Sequence, residues 1–267
     1  MINIKTNEEI EIMQLGGEIL ADVLFKVLEH AKVGVSELEL DKLAEELILK
    51  AGGEPGFKKV ANYNHTICVS TNNVVVHGIP TNYKFKKGDV VGIDCGVYFK
   101  GFHTDAAHTV RVKSFPPQRD PSSDGTKFKV QSSDGVDRFL ETGKKALEKG
   151  IEQAKIGNRV GHISKAIQDT VEGKGYSIVR SLVGHGVGRK LHEDPEVPGF
   201  LNVPIQRTPL LKEGMTIAIE VIYNMGKRDV VYANNDGWTI KTKDGSISGL
   251  FERTVAITKE SPRILTV

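Results

Sequence analysis

The stretch Val90-Val91-Gly92-Ile93-Asp94-Cys95-Gly96-Val97-Tyr98-Phe99-Lys100-Gly101-Phe102-His103-Thr104-Asp105 decides how this chain is read. It spells an apolar strand over 89–99, a two-residue turn at Lys100-Gly101 and a returning strand over 103–112. A two-residue hairpin pairs residues whose numbers sum to an odd value. Even positions of one strand therefore share a face with odd positions of the other. Asp94 and Asp105 then face the same side as direct or diagonal neighbours, within roughly 8 Å. A carboxylate inside an apolar strand is costly unless it is paired or binds metal. Two like charges so placed favour a cation between them, the alternative being two solvated edge aspartates, which the apolar surroundings of Asp94 disfavour.

On the N-terminal side, Thr6-x-x-Glu9 and Ser36-x-x-Glu39 are capping boxes that open two apolar-striped helices. Gly34 stops the first helix, and Gly52-Gly53 ends the second. Strands are predicted over 66–70 and 74–76. On the C-terminal side, helical spacing returns around 139–151 and 163–171, and strands around 177–179, 215–223, 238–242 and 249–258. The order helix, helix, strands thus occurs twice. Ala31-Lys32-Val33-Gly34 and Ala154-Lys155-Ile156-Gly157 match at an offset that also carries Gly52 onto Gly175. The expectation is one α+β domain spanning 1–267, built of halves at about 1–113 and 136–267 around a pseudo-twofold axis, with the active site between them. The segment 114–135, with three prolines and a repeated Ser-Ser-Asp-Gly, reads as an inserted exposed loop joining the halves.

Composition removes other classes. The 267 residues carry 36 Lys+Arg against 34 Asp+Glu, a net charge of +2 that disfavours a dedicated nucleic-acid binder. No run approaches the ~20 apolar residues of a membrane span. The polar N-terminus reads as neither signal nor transit peptide. Cys68 and Cys95 form no CxxC pair, and a reducing, cytoplasmic setting is expected.

Three further stretches carry chemistry. Glu220 is the one charge in the core-like strand Met215-Thr216-Ile217-Ala218-Ile219-Glu220-Val221-Ile222, and Glu252 is the same oddity in Leu250-Phe251-Glu252-Arg253-Thr254. His185 stands between glycines in Gly184-His185-Gly186-Val187-Gly188, seven residues before His192. That spacing fits neither phosphate-loop pattern, and imidazoles presented on a bent backbone fit better. Asp94, Asp105, Glu220, Glu252 and His185 make a ligand set for a pair of divalent metals, and a thiolate-free, carboxylate-rich set suits Mn, Fe(II), Co or Zn. Such a pair generates a hydroxide nucleophile near neutral pH. His77, in Val76-His77-Gly78-Ile79-Pro80, and His192 remain for proton transfer or carbonyl polarisation.

With these residues in place, the chain resembles type I methionine aminopeptidases of the pita-bread metallopeptidase fold. The matching stretches are 76–80, 89–105, 183–195, 212–220, 236–244 and 248–258. The resemblance implies two pseudo-symmetric halves around a central antiparallel sheet, and removal of N-terminal methionine from peptides and nascent chains with a small second residue. By motif, Asp94 would chelate one metal, Asp105 and Glu252 would bridge both, and His185 and Glu220 would complete the second. His77 would contact the scissile nitrogen and His192 the carbonyl, and Glu220 would shuttle a proton. Tyr63, Cys68 and Trp238 would line the methionine pocket. The family also implies a monomer, with the ribosome as a candidate partner and no specific nucleic acid or membrane.

Thr104, Leu191, Val221 and Arg253 depart from residues common in the family, without removing a ligand. Prolidases and Xaa-Pro aminopeptidases share the core but usually carry an extra N-terminal domain, for which the helical start at Thr6 leaves no room. A catalytically dead binding relative would be expected to lose ligands, and all five are present.

Overall fold

The computed structural model describes residues 2–112 and 134–267. Helices α1 (Asn7–His30) and α2 (Glu37–Lys50) open with the reciprocal caps expected from sequence. The Glu9 amide donates to Thr6 Oγ1 at 3.3 Å, and the Thr6 amide donates to Glu9 Oε2 at 2.9 Å. Ser36 and Glu39 repeat the pattern. Each box satisfies two donors that a helix end leaves free. Helices α3 (Gly135–Glu152) and α4 (Val160–Glu172) form the second pair. Asp134 caps α3 by accepting from the Val136 and Asp137 amides, and it pairs with Arg111 at the end of the hairpin. The C-terminal half thus opens at this cap. The rest of the expected inserted loop lies outside the described residues.

The strands are β1 (Glu54–Pro55), β2 (Ile67–Thr71), β3 (Val74–Val76), β4 (Val90–Phe99), β5 (Phe102–Arg111), β6 (Ser177–Ile178), β7 (Gly184–Gly186), β8 (Glu193–Val197), β9 (Thr216–Asn224), β10 (Val230–Tyr232), β11 (Ile240–Thr242), β12 (Ser248–Ile257) and β13 (Pro262–Ile264). The hairpin turns at Lys100-Gly101, with Phe99 opposite Phe102. Antiparallel pairing joins β1, β4, β5 and β2 in one sheet, and β13, β12, β9, β7, β8 and β6 in another. A small sheet of β10, β11 and β3 bridges the halves, because β3 comes from the first and the other two from the second.

The two large sheets meet along β5 and β12 through side chains. The Thr254 hydroxyl donates to the Asp105 carbonyl at 2.8 Å and accepts from the Asp105 amide at 2.9 Å. Thr109 does the same for Leu250, at 2.7 and 2.9 Å. Two threonines therefore satisfy the edge groups that a missing ladder would leave buried and unpaired.

Each half has its own core. Leu20, Val27, Leu40, Ile48, Ile93 and Val97 pack under α1 and α2. Phe139, Ile163, Ile167, Ile219, Tyr223 and Phe251 pack under α3 and α4. The repeat is visible in the backbone: Gly34 and Gly157 sit at φ +90° and +88°, and Gly52 and Gly175 at +80° and +81°. A residue with a Cβ is strained there, so matching glycines turn the chain after matching helices. The helices cover one face of the sheets, and the other face carries the site.

Candidate active site

Strand alternation assembles the cluster. Asp94 lies opposite Ala107, and Asp105 opposite Gly96, so the two carboxylates are diagonal neighbours on one face. Glu220 lies directly opposite Glu252 across β9 and β12. His185 pairs with Ala218 at a bulge that turns the backbone between His185 and Gly186. Ligand atoms of Asp105, His185 and Glu252 all fall within 4.8 Å of one another. His185 Nε2 is 4.0 Å from Asp105 Oδ2 and 3.5 Å from Glu220 Oε1.

The His185 ring has a defined tautomer. Its Nδ1 lies 2.8 Å from the Gly186 carbonyl, which can only accept, so Nδ1 carries the proton. Nε2 then turns a lone pair towards carboxylate oxygens. Burial together with His192 pushes the ring down to about 4, so the imidazole is neutral at neutral pH. Asp94 Oδ1, Asp105 Oδ1 and Glu252 Oε1 are buried with no hydrogen-bond partner. A histidine lone pair among buried carboxylate oxygens that lack partners is the donor set of a divalent cation, and these residues fit one. Burial pushes Asp94 up to about 7. Burial and the neighbouring carboxylates push Asp105 and Glu252 well above the usual range, and burial followed by Asp94 does the same to Glu220.

All ten residues singled out in the sequence line one cavity of about 190 Å³. Beyond the carboxylates and three histidines its wall is largely apolar. Cys68 lies opposite Asp94 in the β2–β4 register, and Phe57, Tyr63, Leu191 and Trp238 pack beside it. Burial pushes the Cys68 thiol up, which keeps it neutral, and the Tyr63 hydroxyl lies 2.8 Å from the Ile67 carbonyl. Trp238 meets Tyr63 edge-on at 5.1 Å and His77 at 6.4 Å. His77 holds a left-handed backbone at φ +54°, a conformation that concentrates at functional sites. Burial and then His192 push His77 down to about 4. His192 stands at the rim with its ring 4.3 Å from that of His185, and partial burial lowers it too.

Phe57, Val60, Val76, Leu182, Val183, Ile222 and Leu250 complete the wall, and sequence reading did not single them out as lining. Their only signal was hydrophobicity, which core residues share. Of the four departures, only Leu191 faces the cavity. Thr104, Val221 and Arg253 each adjoin a ligand in a strand and point to the opposite face. Thr104 lies near Gly16 of α1, Val221 in the C-terminal core, and Arg253 against the Ala107 carbonyl.

Residues 11–259 match the model of metallopeptidase family M24. The chain belongs to this family. It is 42% identical over 267 residues to a methionine aminopeptidase of Clostridium perfringens, covering 100% of this chain and 99% of the relative. It is 41% identical over 266 residues to methionine aminopeptidase 1 of Bacillus subtilis, covering 100% and 99%. Among solved structures it is similar to a methionine aminopeptidase of Thermotoga maritima, with a TM-score of 0.89 at 37% identity covering 100% and 99%. A prolidase of Pyrococcus horikoshii shares the fold at a TM-score of 0.74 and 23% identity, covering 99% of this chain but 63% of the prolidase. Two α+β halves with antiparallel sheets are the pita-bread fold that the resemblance implied. Membership of M24 implies divalent metal ions, in agreement with the donor set.

Proposed function

We propose that this M24 metallopeptidase is a methionine aminopeptidase, hydrolysing the first peptide bond of chains that begin with methionine and have a small second residue. One observation carries the reading: a single cavity joins a cation-demanding carboxylate cluster to an apolar wall and two neutral histidines. Full-length relatives at 41–42% identity that are named methionine aminopeptidases support it.

Two divalent ions would be held by Asp94, Asp105, His185, Glu220 and Glu252, drawn from Mn, Fe(II), Co and Zn. When bound, such ions supply Lewis acidity and a nucleophilic water at neutral pH. The protein does the rest. The wall of Phe57, Tyr63, Cys68, Leu191 and Trp238 receives an unbranched, polarisable thioether and excludes water. His192, neutral at pH 7, donates an N–H to the carbonyl oxygen as negative charge develops there. His77 contacts the nitrogen of the scissile bond. Glu220 would pass a proton to the leaving amine. Initiator methionine is first exposed on nascent chains. The proposal therefore extends to a monomer acting in the cytoplasm near the ribosome.

The test is turnover of Met-Ala-Ser and Ala-Pro peptides by protein stripped of metal and then reloaded with each candidate ion. Metal-dependent release of methionine from Met-Ala-Ser alone is expected. Cleavage confined to Ala-Pro would overturn the substrate assignment.

A further inference from the structure

His192 makes no hydrogen bond from its own ring among the described residues; the His185 ring lies 4.3 Å from it, centre to centre. Its aim must therefore come from the backbone of the segment 187–193. That segment is fastened from outside at its next residue. Glu193 Oε2 accepts from Lys5 Nζ at 2.6 Å, with side chains only 2% and 3% exposed. The other Glu193 oxygen accepts from the Lys190 amide at 3.0 Å, closing the loop on itself. Lys5 is anchored in turn, because its amide donates to the Gly214 carbonyl at 2.7 Å. Gly188 makes room for it: a Cβ there would stand 2.3 Å from Lys5 Cε. The Gly188 carbonyl also accepts from the His103 amide of β5 at 2.6 Å, so the loop is tied to the Asp105 strand as well.

We propose that Lys5 and Glu193 are positioning residues for His192: the N-terminal segment reaches across the domain and locks, through one buried ion pair, the loop that presents this imidazole to the substrate carbonyl. The inference rests on the proposed role of His192. A buried pair is weak evidence for stability in itself, since its desolvation cost can cancel its attraction. Its place next to a ring that makes no hydrogen bond of its own among the described residues gives it a geometric task. Displacing a reacting group by about 1 Å costs on the order of 100-fold in rate.

The experiment uses metal-reconstituted full chain and a Met-Ala-Ser peptide. Lys5→Met/Glu193→Gln removes both charges, leaves no unpaired buried ion and keeps an acceptor for the Lys190 amide. Its kcat should fall about 10- to 100-fold with KM, bound metal and Tm near wild type. In a His192→Ala background the same pair of substitutions should change kcat less than about 2-fold, because residues acting through one group are not additive. Equal losses in both backgrounds, or a folded double variant with wild-type kcat, would overturn the positioning role. If His192→Ala itself left kcat unchanged, the reading of His192 would fall instead, a result separable from the first two. Lys5→Gln/Glu193→Gln, which also leaves no unpaired buried ion, guards against misfolding of the first double variant: it should fold and lose kcat by a few-fold, and an unchanged kcat refutes the proposal.

Discussion

Asp94→Asn should stabilise the metal-free protein, and only above mildly acidic pH. Burial raises the Asp94 carboxyl from an ordinary 3.8 to about 7. The native state therefore holds a proton that the unfolded chain has released. A carboxyl raised on folding contributes no penalty below its unfolded value, and its stability is lost as pH climbs to and through the folded one. Between pH 4 and 8 the rise corresponds to about 4 kcal/mol lost from this group. Asparagine keeps the shape and cannot ionise. The two proteins, dialysed against a chelator, should melt together near pH 4. They should separate by about 10 °C at pH 8, the variant being the more stable. Thermal melts by circular dichroism across this range measure the gap. Saturating divalent metal should reverse the order, because only the carboxylate gains from the cation. A gap that stays constant with pH, or a variant that is less stable at pH 8 without metal, would refute the claim that the cluster is built around a missing positive charge.

Asp105→Ala and Glu252→Ala should each lower peptide turnover by about 100-fold or more at saturating metal while the circular dichroism spectrum persists; near-native turnover in either would end the two-metal assignment. Thr254→Val strips the Asp105 amide and carbonyl of their partner at the seam and should cost about 1–3 kcal/mol in urea unfolding, with no loss expected only if the seam reopens to water. Met-Ile peptides should be much poorer substrates than Met-Ala, because a β-branched second residue has a stiff side chain that cannot fold away from a wall; equal kcat/KM for the two would remove the small-residue specificity.

How much of this was legible beforehand follows from the range of the forces involved. Capping boxes at Thr6 and Ser36, the turn at Lys100-Gly101 and the alternation that puts Asp94 and Asp105 on one face are local, settled by residues within a few positions of each other. The long strands β4, β5, β9 and β12 carry enough apolar residues to be read directly. The segments β1, β7, β8, β10 and β13 run two to five residues and were not read from the sequence. They are strands only because a neighbour supplies hydrogen bonds. A charge in an apolar strand was likewise legible, since burying Asp94, Glu220 or Glu252 without compensation is too costly to be accidental.

What sequence could not decide is what meets across long separations. Nothing near Asp105 says that a hydroxyl 149 positions away will satisfy its backbone. Nothing near Lys5 says that it will bury its charge on a residue 188 positions away. The side-chain types at the site were determined by the sequence alone, because their chemistry is intrinsic. The tautomer of His185, the orphaned carboxylate oxygens and the closing of the apolar wall around them were decided only by the tertiary structure, because each depends on desolvation and on partners that packing brings together.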